Sequence, residues 1–222
     1  ENPLVIRSNG ERAMRVQCYP MPGHAVENAR QSIAAQIEAI PLPEGYSLRW
    51  EGEYQASNQA MTYLFMYYPL AVVLMVAILI MLFKDVRKPL IIILCMPLLL
   101  IGIIAGILIS GKPFGFVAMV AALGLVGMLI KNGIVLMDEI TLQLSSGMDP
   151  VKALMDSSEN RFRPVMLASL TTILGMIPLL NDALFGPVAV VIMGGLLIGT
   201  LITLLFIPVL YAYFFGIKIK RN

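Results

Sequence analysis

Lys131 stands well inside an apolar stretch, "GLVGMLIKNGIVLMDEI" from residue 124 to 140, beside Asn132 and one heptad before Asp138. On a helix of 3.6 residues per turn, Gly124, Gly127, Lys131 and Asp138 share one face, because steps of three, four and seven return near the same direction. Small residues let a second helix approach closely, so an ionisable side chain among them faces protein rather than lipid. A protonated amine there requires an anionic partner, or its pKa falls. The alternative is a side chain that snorkels to the near interface, about two turns away. Helical side chains lean toward the N-terminus of their helix, which directs the Lys131 stem away from that interface. No other apolar stretch of the chain carries an acidic residue in its interior. The expected partner carboxylate therefore comes from outside this sequence.

A second constellation opens with Arg161 in "RFRPVMLASLTTILG", where Pro164 suits a first helical turn and Ala168, Ser169, Thr172 and Gly175 fall on or near the face below the arginine. Hydroxyls in such a stripe can line a water or proton path. Each can equally bond back to the preceding turn of its own helix. Gly102 with Gly106, and Gly195 with Gly199, repeat a small-xxx-small spacing that signals close helix packing. Fifteen methionines raise soft-metal transport, but they sit singly in apolar stretches as packing residues, and no metal cluster is expected. Cys18 lies in a polar region and Cys95 in an apolar one, so both read as free thiols. His24 reads as a solvated or capping histidine. An intramembrane enzyme finds no paired carboxylate and no Ser-His pair to work with.

The elements that position these residues follow from composition: 58% of the residues are hydrophobic and 14% charged. The fold class is a multi-span α-helical membrane protein preceded by a small α+β extracytoplasmic domain. Five spans are expected, at 64–83, 90–110, 116–137, 164–180 and 187–215, the last long enough to tilt or to kink at Pro208. Lys84, Arg87 and Lys88 follow the first span, Lys152, Arg161 and Arg163 the third, and Lys218, Lys220 and Arg221 the fifth. The links after spans two and four offer only Lys112 and no base. Positive charge thus places the C-terminus in the cytoplasm and residues 1–62 outside. No signal peptide precedes those residues, so the chain is expected to be the C-terminal piece of a longer polypeptide. Within 1–62 the order is β-β-α-β: two strands about Ser8-Asn9-Gly10, a helix marked by Ala25, Ala29, Ile33, Ile37 and Ile40, and a strand in "LPEGYSLRWEGEY". Seven Glu against five Arg leave no basic patch, which excludes nucleic acid as a partner. Asp149 and Pro150 read as the N-cap and first residue of a short helix along the inner surface.

"GLVGMLIKNGIVLMDEI", "RFRPVMLASLTTILGMIPL", "VIMGG" and "LFIPVLYAYF" together resemble the last three membrane helices of the resistance-nodulation-division transporters, and within them the hydrophobe and amphiphile multidrug efflux branch. The resemblance covers the whole chain, from a final porter subdomain through helices eight to twelve of a twelve-helix permease. It implies a homotrimeric, proton-driven pump of the bacterial inner membrane, without cofactor, that passes amphiphilic small molecules to an outer-membrane channel through a periplasmic adaptor. Its neighbours would be membrane lipid and the N-terminal part of the permease. It further implies that Lys131 pairs with two aspartates of the other half, that Arg161 marks the cytoplasmic proton entrance, and that Asp138 holds a usually acidic position. A relay threonine of the family falls at Ala168, where Ser169 or Thr172 would have to substitute. A protein-export accessory of the same superfamily and a non-transporting membrane scaffold are the alternatives.

Overall fold

The computed structural model describes residues 6–8, 10–19, 26–182 and 184–217, which fall into two compact units, Glu1–Leu48 and Arg49–Asn222. In the first unit, β1 (Arg7–Ser8) and β2 (Glu11–Arg12) form an antiparallel ladder pairing Arg7 with Arg12 and Ser8 with Glu11. Gly10 takes the turn at φ +87°, a conformation that costs glycine little. Helix α1 (Val26–Glu38) opens with Glu27, whose carboxylate accepts from Arg30 Nη2 at 2.7 Å and from Gln31 at 2.9 Å. The Arg30 hydrogen bond holds the Glu27 carboxyl below its usual range. Asn9, His24 and Ala25 lie outside the described residues.

The strand expected in 42–54 does not form. Residues 41–50 are loop with a turn at Glu44–Gly45, and Glu53 and Tyr54 belong to the first turn of a long helix. A strand needs an edge to pair with, and a two-residue ladder has little to offer. Exposed Met14, Val16 and Tyr19, and an α1 without a buried residue, mark apolar surface that this unit leaves uncovered.

The second unit contains five helices long and apolar enough to cross a membrane: α2 (Glu53–Phe83), α3 (Arg87–Ser110), α4 (Phe116–Ser145), α5 (Pro150–Met176, extended by a 3-10 turn over Ile177–Asn181) and α6 (Gly186–Phe214). All five expected spans are present, and four are longer than hydropathy alone marks, α3 by only its first turn. Helix α2 starts eleven residues before Leu64, because the polar run 53–63 holds no proline or glycine to stop it. Helix α4 runs on to Ser145. The short surface helix expected after Asp149 is instead the first half of α5, which continues through Pro164 into the fourth span. Asp149 does cap it, accepting the Lys152 N–H at 3.3 Å, with Pro150 next in sequence. Helix α6 likewise continues through Pro208.

The core is built around α6. Its glycine-rich stretch meets α3 backbone to backbone: a Cβ at Gly102 would stand 2.7 Å from Gly194 O, and one at Gly106 3.1 Å from Val190 O. Gly199 receives Leu99 and Leu129, whose methyl carbons lie 2.9 and 3.0 Å from a Cβ placed there, while Leu125 fills the space over Gly195. One apolar cluster joins Leu99, Ile103, Leu125, Leu129, Val191 and Leu196, and the other Ile91, Ile92, Leu136, Met137, Ile140 and Ile207. Helix α2 is peripheral and buries only Leu79.

Candidate functional site: the open face of α4 and its ion pair with α5

Helix α4 has two faces. Leu125, Leu129, Ile130, Leu136, Met137 and Ile140 are buried against the other helices. Gly124, Gly127, Lys131 and Asp138 all lie on the opposite, exposed side, and a Cβ at either glycine would meet nothing within 4 Å. The face that helical spacing assigned to a second helix is therefore one that this chain leaves open. Gly124 and Gly127 make no packing contact here, unlike Gly102, Gly106, Gly195 and Gly199. Lys131 forms no ion pair among the described residues. Asn132 is half-buried, and Gly133 lies against Ile92 and Ile207.

Arg161 is not a solvated anchor. Its Nη2 donates to Glu139 Oε2 at 2.7 Å, while Gln143 Nε2 donates to Glu139 Oε1 at 3.1 Å. A carboxylate on α4 thus holds a guanidinium on α5 and is held in turn by the next turn of its own helix. Sequence reasoning chose Asp138 as the acidic position of this region, and that side chain points to the open face. Glu139, one residue on, turns toward α5, and its spacing of four from Gln143 was the available signal.

The two hydroxyls below Arg161 have different partners. Ser169 is buried with its Oγ 2.9 Å from Thr200 Oγ1 of α6, itself 1% exposed. Thr172 donates to Ala168 O at 2.9 Å, the back-bonded arrangement. Ser169 is thus engaged by α6 and Thr172 by its own helix, and Thr200 is a buried polar residue that sequence reasoning passed over. Among the bases expected at span ends, Lys88 is buried: its Nζ donates to Thr141 Oγ1 at 3.0 Å and lies 5.8 Å from the centre of the Phe83 ring. Lys112 reaches across to donate to Leu180 O at 2.7 Å. Beside that contact Asp182 accepts the Leu184 and Phe185 N–H groups, each at 2.8 Å. These two N–H bonds, Phe185 first, hold the Asp182 carboxyl below its usual value. Lys218, Lys220 and Arg221 lie outside the described residues.

The family described as AcrB/AcrD/AcrF matches residues 2–215. The nickel and cobalt resistance protein CnrA of Cupriavidus metallidurans is 31% identical over 226 residues, covering 98% of this chain and 20% of CnrA. The cobalt-zinc-cadmium resistance protein CzcA of the same organism is 29% identical over 93% of this chain and 20% of CzcA. Multidrug resistance protein MdtC of Salmonella paratyphi A is 25% identical over 98% of this chain and 22% of MdtC. A crystal structure of a heavy metal efflux pump shares the fold at a TM-score of 0.65 and 24% identity, covering 86% of this chain and 19% of that one. The chain spans about a fifth of the length of the curated relatives it matches.

Proposed function

Because the chain belongs to the AcrB/AcrD/AcrF family of resistance-nodulation-division permeases, secondary transporters of the inner membrane rather than enzymes, we propose that it serves proton-driven efflux of small toxic compounds across the cell envelope. The observation that carries this reading is the open α4 face, where an intramembrane lysine on the same side as two uncovered glycines, Gly124 and Gly127, forms no ion pair among the described residues. Such a face fits a second helix that brings the missing negative charge. With carboxylates of the remaining permease ionised, Lys131 neutralises them in a low-dielectric site. Once they are protonated the lysine loses its partners and the helices repack, so proton binding becomes movement. Arg161 stands at the cytoplasmic entrance of this path. Ser169 or Thr172 takes the relay place of Ala168, and both hydroxyls retain lone pairs to accept a further hydrogen bond.

In this reading residues 1–62 face the periplasm and the C-terminus the cytoplasm. The permease works as a homotrimer with a periplasmic adaptor and an outer-membrane channel. The substrates are amphiphilic, a reading supported by the Lys131-Asn132 pair and by the likeness to MdtC. A second reading, efflux of divalent metal cations, is favoured by the likeness to CnrA and CzcA. The test is efflux of a fluorescent amphiphile from cells expressing the full-length permease, wild type against Lys131→Met, with nickel and cobalt tolerance measured alongside and trimer abundance matched. Loss of either transport at full abundance supports proton coupling through Lys131 and identifies the cargo. Wild-type transport of both by the variant refutes the coupling.

A further inference from the structure

The Arg161 guanidinium is the exposed end of its ion pair and the Glu139 carboxylate the covered end, with side chains 35% and 15% exposed respectively. The carboxylate is fixed at both oxygens, Oε2 by Arg161 and Oε1 by Gln143. Gln143 is itself only 9% exposed, and its orientation is settled by the carboxylate, since only the amide nitrogen can donate to it. Arg161 Nε is buried and finds no acceptor among the described residues, so the guanidinium depends on its Nη2 contact for its place. The pair also joins two helices. Glu139 lies on α4 about two turns beyond Lys131, and Arg161 on α5.

From this geometry we infer that Glu139 is the positioning residue for Arg161: it holds the guanidinium at the end of the α4–α5 interface and ties the helix that carries Lys131 to the helix that carries the proton entrance. The inference rests on the reading of Arg161 as that entrance. A half-covered charge-assisted hydrogen bond orients more firmly than an exposed pair, because less water competes for either partner. Gln143 acts one step behind, by keeping the carboxylate from turning away. Positioning differs from plain structural support in one respect: the sign of the charges must run from α4 carboxylate to α5 guanidinium, since it is the guanidinium that must stand in the accessible place.

The experiment measures Vmax and KM of efflux per permease, in cells expressing the full-length protein, for Glu139→Gln, Glu139→Asp, Arg161→Ala and the exchanged pair Glu139→Arg with Arg161→Glu. Glu139→Gln is expected to lower Vmax about tenfold at unchanged KM, as when the guanidinium loses its anionic partner and keeps only a neutral acceptor. Glu139→Asp is expected to recover most of the loss. The exchanged pair is expected to restore abundance but not transport. Wild-type Vmax in Glu139→Gln overturns the inference, and so does full transport in the exchanged pair, which would make the contact a helix tie only. If Glu139→Gln fails to accumulate, the exchanged pair alone decides. Wild-type transport by Arg161→Ala would instead remove the reading of Arg161 on which the inference stands.

Discussion

Replacing Gly102 by alanine adds one methyl group where α3 and α6 are in backbone contact. The new Cβ would lie 2.7 Å from Gly194 O, 3.0 Å from Ile198 Cβ and 3.1 Å from Gly195 Cα, all parts of α6 that cannot rotate aside. An ordinary contact to that oxygen requires the helices to part by about 0.7 Å over this stretch. Overpacking of this kind costs about 1–3 kcal/mol. Alanine recovers part of it, since it is the better helix former by up to about 1 kcal/mol. The expected net loss is about 1–2 kcal/mol, together with weaker packing of Leu99 and Ile103 against α6. The control is Gly175→Ala on α5, where the added methyl meets nothing within 4 Å and only the propensity gain remains. Thermal melting of the purified full-length permease, followed by retention of the folded fraction on size exclusion, reads both. Gly102→Ala should melt below wild type and Gly175→Ala at or slightly above it. A Gly102→Ala protein that melts with wild type would refute the claim that backbone approach at this seam is a stability determinant.

Two further outcomes can be checked on the same protein. A double-mutant cycle on Ser169→Ala and Thr200→Val should return a coupling of about 0.6 kcal/mol, the usual value for a hydroxyl contact between membrane helices, and a coupling near zero would mean that the 2.9 Å contact is not an effective hydrogen bond. Asp182 has a carboxyl pKa lowered from 3.8 by the Phe185 and Leu184 N–H groups, so its contribution is present above that value and is lost as pH falls through the lower folded one. Amide exchange protection at Leu184 and Phe185, corrected for intrinsic rates, should therefore be level between pH 7 and 5 and drop only in stronger acid, and Asp182→Ala should abolish the acid step; a drop centred near pH 6 would assign it to another group.

Hydropathy and turn chemistry made the membrane part legible because a bilayer constrains a sequence more strictly than water does: each span must be apolar over about 20 residues and close its own hydrogen bonds. Gly102, Gly106, Gly195 and Gly199 showed by spacing alone that two helices meet closely. What spacing could not show was which glycines meet a partner within this chain. Gly124 and Gly127, three apart, also share one helical face, yet they face open space. Polar ends were harder. Hydropathy stops at Met137 and Leu64, yet α4 and α2 run on through residues that are polar and still good helix formers. The surface helix at 150 was read as separate because Pro164 resembles a start, although a proline within a long helix costs one hydrogen bond and does not have to end it. The third strand failed for the opposite reason. Its residues have strand character, but sheet pairing is non-local, and no described neighbour supplies the edge. Glu139 escaped because a carboxylate beside Asp138 looks redundant until the helix rotation separates the two.

Helix α2 is a continuous helix of 31 residues, about 46 Å long, that meets the bundle near its C-terminal end, where Leu79 is buried and Met75 and Phe83 pack against the core. Roughly a third of that length exceeds the hydrocarbon thickness. Pivoted near Leu79, it is a lever with one short arm and one long one. A tilt of about 10° carries the Glu53 end through several ångströms, close to 7 Å for an arm of about 39 Å from Leu79, while the Phe83 end moves by only about 1 Å. A small displacement at the end carrying Lys84 is thereby amplified several-fold at the opposite end.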